Sequence, residues 1–474
     1  MKICVYAFST TAYFFRALIE ECARRGDDME WSIIFPQGHF RHLLADIVPP
    51  ERVCYLYEKF DAYYAVSDAA QIQRALDSGG GLVTALLKDK DGYRWLDKEE
   101  QLKRGAAMHA CYSDFLARIR PDFMLFPDLE TVDGFVAMNL CAELNLGVLY
   151  YTETRAVGLS YLASDPYETL PVYFGAYTDD DLRAARAAIE KFNQRRSNDA
   201  GRDYPPNPPP KPSWFRRLIV SGYIRWRHER LHATEYDYGE SIKHNLIPVT
   251  RWARRQRFDQ LLAKYFDVSL VGNSPLPEKF VFYALHYTPE SSINGLAPYY
   301  VDQFRVIDAL LLSLPPGHRL VVKEHPAMYG MRPRSFYREL RRRPGVVMVH
   351  PALDTRALIT KAAAVATVTG TIGLESYLLD TPCILFGRNF FSHLCYSAPA
   401  LPELRDFLRE LITSYRPPSV AEKEVEIAKL INIGGDFVIG DPWFIPTVMA
   451  PENIRAARDY FWRHLARIGV MAKT

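Results

Sequence analysis

The chain has 474 residues, 48% of them hydrophobic and 24% charged. That length predicts two or three domains at roughly 150 residues each, and the composition excludes disorder over most of it. Fifty-eight Lys+Arg against 56 Asp+Glu leave a formal charge of +2, which argues against a dedicated nucleic-acid binder. The seven cysteines are scattered and form no C-x-x-C pair, so neither a zinc ribbon nor a redox motif is expected.

The N-terminus enters a strand-like run at once (Lys2–Phe8) and does not read as a signal peptide. No run of about 20 apolar residues predicts a transmembrane helix. The expectation is a cytoplasmic protein, with peripheral attachment to the inner face of the membrane left open. Tyr13–Arg25 has helical apolar spacing, Glu30–Phe35 and Val53–Tyr57 read as strands, and a helical region extends to about Arg118. Phe123–Phe126 and Val148–Tyr151 are short buried strands flanking a helix over Gly134–Leu144. Repetition of strand and helix implies a parallel sheet covered on both faces.

The alternation stops near Asp179. Residues 205–212, Pro-Pro-Asn-Pro-Pro-Pro-Lys-Pro, predict a stiff extended linker. Residues 201–260 then carry 12 Lys+Arg against 6 Asp+Glu. Within them, 213–231 reads as an amphipathic helix with Phe215, Leu218, Ile219, Tyr223 and Trp226 near one stripe and arginines around it. Two readings fit: a helix packed on its own domain with its arginines in solvent, or one lying on a bilayer surface near a lipid-linked acceptor.

Alternation returns at about Lys279, with strands over Phe280–Leu285, Arg319–Lys323, Val346–Val349, Ala364–Val368 and Cys383–Phe386. Helices are expected over Tyr299–Leu312, Arg334–Arg342, Asp354–Ala363 and Gly373–Leu379, and two more, Leu401–Tyr415 and Glu452–Arg467, close the chain. The predicted organisation is therefore a first Rossmann-like acceptor domain over 1–178 and a linker with basic helical insertion over 179–265. A second Rossmann-like, nucleotide-binding domain follows over 266–448, and the helix of 449–474 packs back on the first. Two such domains facing each other bind ligands in the crevice at the strands' carboxyl ends.

Three polar segments end strands of the second unit. Thr369-Gly370-Thr371-Ile372-Gly373-Leu374-Glu375 turns from a strand into a helix. Its backbone N–H groups, hydroxyls and glycines form an anion cradle, with Glu375 able to accept from a ribose diol. Simple helix capping explains the same residues as readily. Lys323-Glu324-His325-Pro326 sets a lysine and a histidine at a strand end, where they can bind phosphate oxygens. His286-Tyr287-Thr288-Pro289-Glu290 gathers an imidazole, hydroxyls and a carboxylate. By contrast, Thr178-Asp179-Asp180-Asp181 precedes a helical pattern, so these acids read as caps rather than a D-x-D metal site. No metal or cofactor is expected.

These segments, followed by Thr381-Pro382-Cys383, resemble capsule and surface-polysaccharide glycosyltransferases of the GT-B architecture, related to the bacterial enzymes that transfer Kdo from CMP-Kdo. The resemblance is best over 280–390, with a weaker echo at Thr152-Glu153-Thr154-Arg155 and Asp165-Pro166-Tyr167-Glu168. It implies a nucleotide-sugar donor, CMP-linked and Kdo-like, and a glycan or lipid-linked glycan acceptor. It also implies phosphate contacts from His325, Thr369, Gly370 and Thr371 and a ribose contact from Glu375, with His286 and Lys323 as further nucleotide ligands. The catalytic carboxylate is expected across the cleft, Glu153 first and Asp128 second, with Glu130 beside it; Glu290 is the candidate on the nucleotide side. A UDP-GlcNAc 2-epimerase-like enzyme and a non-catalytic component of a polysaccharide assembly complex are the alternatives.

Overall fold

A computed structural model describes residues 1–8, 10–36, 43–44, 46–78, 81–89, 96–154, 157–194, 265–268, 275–288, 291–328, 332–440, 442 and 445–470. Arg155, Glu290, the proline run and the basic stretch 213–231 lie outside the described residues. Among the described residues no helix is long and apolar enough to cross a membrane.

The first unit runs β1 (Lys2–Tyr6), α1 (Thr11–Arg24), β2 (Glu30–Phe35), β3 (Val53–Tyr55), α2 (Leu56–Ala65), α3 (Ala69–Asp77), α4 (Leu82–Lys88), α5 (Lys98–Ile119), β4 (Phe123–Phe126), α6 (Val132–Glu143), β5 (Gly147–Glu153), β6 (Ser160–Ala163) and α7 (Asp179–Gln194). The second runs β7 (Phe280–Ala284), α8 (Ser291–Asn294), α9 (Phe304–Ser313), β8 (Arg319–Lys323), α10 (Arg334–Arg341), β9 (Val346–Val349), α11 (Thr355–Lys361), β10 (Ala364–Thr367), α12 (Ile372–Leu378), β11 (Cys383–Leu385), β12 (Tyr396–Ser397) and α13 (Leu404–Ser414). Two more helices follow, α14 (Val420–Ile433) and α15 (Pro451–Arg467).

The described strands form two six-stranded sheets, β3-β2-β1-β4-β5-β6 and β12-β11-β10-β7-β8-β9. Numbered from the first strand of each unit, both orders read 3-2-1-4-5-6, so the chain reverses its direction of winding between β1 and β4 and again between β7 and β10. Pairing is parallel throughout except for β6, which runs antiparallel to β5 with Glu153 opposite Ser160. This is the expected α/β class with two Rossmann-like units. The central strands are apolar runs because helices cover both faces; all five residues of β7 except Ala284 are buried.

Several elements depart from the sequence expectation. The expected 299–312 helix begins at Phe304, because Pro298 opens a separate 3-10 turn. The long helical region before Arg118 divides into α2 to α5. Strands β6 and β12 and helix α14 lie where no element is expected. The chain also returns to the first unit ahead of residue 449. Ser419 and Glu422 start α14 with a reciprocal capping box, and its buried residues Ile427, Leu430 and Ile433 join the core of the first sheet. Asp181 accepts from Thr178 N–H at 2.8 Å and from Asn432 Nδ2 at 3.0 Å, while its own N–H donates to Thr178 Oγ1 at 3.2 Å, so Asp181 completes a reciprocal cap with Thr178 and ties α7 to α14.

Helix α15 packs on α1, and its Phe461 ring lies 6.4 Å from Trp31 of β2. Asp27 just past α1 is the polar anchor, accepting from Arg458 Nε at 2.8 Å and from Trp462 Nε1 at 2.7 Å. Charge-assisted bonds of this kind contribute about 1.5–3 kcal/mol each before the stranded partner regains water. Asp27→Ala is therefore expected to lower the unfolding free energy by about 2 kcal/mol, read as a shift of the urea midpoint at constant slope.

Candidate active site

The crevice of an open α/β sheet lies where its strand order reverses; in the second sheet that point is the gap between β7 and β10. The loops leaving these two strands are joined by one imidazole. His286 is buried, and its Nε2 accepts the Val368 N–H at 3.1 Å while lying 3.0 Å from Thr367 Oγ1. An Nε2 that accepts a backbone N–H carries no proton, so the neutral ring is the Nδ1–H tautomer. Burial, helped by His325 and Arg332, lowers this imidazole to about 3.

Around the imidazole the turn closes on itself. Gly370 N–H donates to Thr367 Oγ1 at 3.1 Å, and a Cβ on Gly370 would come within 2.7 Å of that oxygen and 3.3 Å of His286 Cε1. Thr369 is fully buried: its hydroxyl donates to Ser292 O at 2.7 Å and its carbonyl accepts from Asn389 Nδ2 at 3.0 Å. Two of the expected nucleotide ligands, His286 and Thr369, thus spend these side-chain atoms on protein partners and build the turn. The reason is burial: a polar atom shut off from water must be paired inside. Thr371 precedes α12 half-buried and makes no side-chain cap.

The loop after β8 meets the same point. Leu285 N–H donates to Lys323 O at 2.9 Å, and the Tyr287 and His325 rings meet edge to face at 6.0 Å. Glu324, through Arg332, ties the loop after β8 to the loop after β7. It accepts from Arg332 Nε at 2.8 Å, Tyr337 OH at 3.0 Å and the His325 N–H at 2.8 Å, while Arg332 Nη2 donates to His286 O at 2.5 Å. Burial pushes the Glu324 carboxyl up while Arg332 and these donors pull it back. Lys323 is buried and donates to Thr355 Oγ1. Burial brings its ammonium down to about 8, opposed by Asp354 and Glu375, and lifts the Glu375 carboxyl to about 7 against Arg356 and Lys323. The expected nucleotide residues therefore converge at one switch point, floored by a Glu324–Arg332 pair that sequence patterns did not single out.

The first sheet's switch point, between β1 and β4, opens into a cleft of about 400 Å³. Its floor is Tyr6, whose hydroxyl donates to the buried Asp133 at 2.6 Å; Gly134 allows this approach, since a Cβ there would lie 3.1 Å from the Tyr6 oxygen. Asp128 and Glu153 both line the cleft. Asp128 is exposed and accepts from Leu129 N–H at 2.7 Å and Tyr150 OH at 3.3 Å. Glu153 is exposed at the end of β5, 3.3 Å from Tyr151 OH. Glu130 and Glu168 complete an acidic wall. Glu168 is buried in left-handed backbone (φ 59°), accepting from Thr152 Oγ1 at 3.1 Å. The sequence signal for it was present only as the Asp165–Glu168 echo. Ser292 and Leu296 of the second unit also line the cleft, and Ser292 is the residue whose carbonyl Thr369 holds. Among the described residues, no group of three or more His, Cys, Asp or Glu side chains is arranged to hold a metal ion.

Residues 272–397 match the family of capsule polysaccharide biosynthesis proteins. The matched stretch runs from before β7 through β12 and contains all three polar loops. No curated protein matches the chain. Among solved structures, a KpsC β-Kdo 2,4 transferase from Thermosulfurimonas dismutans is similar at 15% identity over 65% of this chain and 79% of that one, with a TM-score of 0.34. The KpsC β-Kdo 2,7 transferase of the same organism is similar at 12% identity over 75% and 89%, with a TM-score of 0.32. A UDP-GlcNAc 2-epimerase from Methanocaldococcus jannaschii is similar at 10% identity over 92% and 100%, with a TM-score of 0.26.

The His286 arrangement has a measurable signature. Below pH 6.5 the unfolded chain takes up a proton on this ring that the folded chain refuses until about pH 3, so stability falls with falling pH by up to ~1.4 kcal/mol per unit. His286→Gln keeps an acceptor but does not titrate. Urea unfolding between pH 6.5 and 4 is expected to show a shallower loss of stability in this variant than in the wild type.

Proposed function

We propose that the chain is a glycosyltransferase that moves a sugar from a nucleotide-activated donor, CMP-linked and Kdo-like, to a surface-polysaccharide or glycolipid acceptor. The observation that carries this reading is the seating of the acidic cleft against the turn. Ser292 walls the cleft and is bonded through its carbonyl to Thr369 of the Thr-Gly-Thr segment. A ligand held at the turn would have its leaving phosphate beside a wall of carboxylates, the juxtaposition that group transfer between two bound substrates needs.

In this reading His325, Lys323 and Thr371 at the start of α12 receive the nucleotide phosphate, Gly370 keeps the turn tight beside them, and Glu375 receives the ribose diol. The bond from the sugar's anomeric carbon to the phosphate oxygen breaks, and its electron pair leaves with CMP. The acceptor hydroxyl's proton passes to a carboxylate of the cleft, Glu153 first and Asp128 second. If configuration is retained, one of these carboxylates attacks the anomeric carbon before the acceptor does. Lys323 and His325 stabilise the departing charge without a metal. We place the protein on the cytoplasmic side, where a nucleotide sugar is available.

The test is incubation with CMP-Kdo and with UDP-GlcNAc, with and without a glycan acceptor. CMP release that depends on acceptor supports the proposal; consumption of UDP-GlcNAc without acceptor overturns it. Glu153→Gln is expected to lower kcat by about 100-fold or more and His325→Ala by about tenfold or more, the scale of losing a positioned base or acid. Added EDTA should leave the rate unchanged.

A further inference from the structure

The loop after β11 touches both halves of the crevice. On its own unit it lies against the turn: Phe386 N–H donates to Thr367 O at 3.0 Å, Gly387 N–H to Val368 O at 2.9 Å and Asn389 Nδ2 to Thr369 O at 3.0 Å. A Cβ on Gly387 would come within 2.7 Å of Thr369 Cγ2 and 3.0 Å of Val368 O, so loop and turn meet without slack. A few residues on, Phe390 is buried in the core of the first sheet, its ring 6.4 Å from Tyr161. The second unit thus inserts one side chain into the first, directly behind the turn.

Glu168 meets this loop from the first unit. One carboxylate oxygen accepts the Phe390 N–H at 3.5 Å and the other accepts from Thr152 Oγ1 at 3.1 Å, while the Glu168 carbonyl accepts from Tyr161 OH at 2.7 Å. Thr152 precedes Glu153 on β5, and Glu168 itself lines the cleft. The residue is buried and its backbone holds φ at 59°, a left-handed conformation that glutamate rarely adopts. Such a backbone persists only where surrounding contacts over-determine it, and it gathers where exact geometry serves function. Here those contacts come from both units.

We propose that Glu168 is a positioning residue that sets the spacing between the cleft carboxylates and the nucleotide turn. The proposal rests on the transferase reading and adds the part that brings base and leaving group into register. From Glu153 the path runs through Thr152, Glu168 and the Phe390 amide to Asn389 and Thr369. The carboxylate offered to the acceptor and the turn offered to the nucleotide are therefore parts of one bonded strip. A misplacement of about 1 Å at a reacting centre costs on the order of 100-fold in rate, and a clasp at this seam prevents it.

Hydrogen exchange of the full chain with and without saturating CMP tests this, read on peptides covering the turn after β10 and strands β5 and β6. In the wild type CMP is expected to slow exchange about threefold or more in both regions. Glu168→Gly accepts the left-handed backbone freely but lacks the carboxylate. In it the turn should keep its protection and CMP should bind within about threefold of wild type, while β5 and β6 lose their response to CMP. Glu168→Gln should restore that response, because its oxygen accepts the Phe390 N–H and the Thr152 hydroxyl can turn to accept from its amide. With CMP-Kdo and a glycan acceptor, Glu168→Gly is expected to lower kcat about tenfold or more and Glu168→Gln less than threefold. Should Glu168→Gly not fold, Thr152→Val breaks the same strip and carries the same expectation. The proposal is overturned by wild-type protection confined to the turn, by a response of β5 and β6 that survives Glu168→Gly, as a merely structural role requires, or by a Glu168→Gln that behaves as Glu168→Gly does. A wild type that binds no CMP overturns the transferase reading itself, and this role with it.

Discussion

One acceptor nitrogen organises the second unit. His286 Nε2 takes the Val368 N–H at 3.1 Å, so the loop leaving β7 is pinned to the turn leaving β10 at the place where the sheet reverses its winding. Without that acceptor a buried N–H would lose its partner, a cost on the order of 1–3 kcal/mol. The bond also sets the space available to Gly370, which packs between Thr367 and the imidazole. From Thr369 the network runs outward in two directions, through Ser292 to the cleft and through Asn389 to the loop after β11. The Glu324–Arg332 pair supports it from below, and a buried pair of this kind fixes geometry more than it adds stability.

The two units share a strand order but use their switch points differently. In the first, a hydroxyl–carboxylate pair, Tyr6 with Asp133, lies under an open acidic cleft. In the second, the switch point is filled by its own side chains and presents a lysine, a histidine and a glutamate around a tight turn. Apolar packing beside the cleft holds the units together. Phe390 and Phe391 of the second unit share a core cluster with the first sheet and with α14 and α15, and Tyr161 meets Phe390 at 6.4 Å.

Much of the fold was legible in the sequence because buried parallel strands read as short apolar runs. Glu30–Phe35, Phe123–Phe126, Arg319–Lys323 and Val346–Val349 have those bounds in the structure. Strands β6 and β12 were not legible; they are short edge strands whose pairing depends on a neighbour rather than on their own pattern. The signal for α14 was there, a Ser-x-x-Glu box at 419–422 ahead of an apolar run, but nothing in it says which unit the helix joins. The polar loops were legible as clusters at strand ends. Glu324 and Arg332 were not, since their meaning lies in a bond to each other and to His286 O, and Glu168 acquires its place only when β6 folds back along β5.

The amino-acid sequence by itself determined the two α/β units, the polar segments that end their strands, and the acids in the first turn of α7, because periodicity and local hydrogen bonding act over a few residues. The tertiary structure alone decided which of those polar side chains face the crevice and which are consumed in building it. His286 and Thr369 look like ligands in a linear reading, yet burial obliges their polar atoms to find partners inside the protein. Asp128 and Glu153 stay at the surface of the cleft because solvent reaches them there.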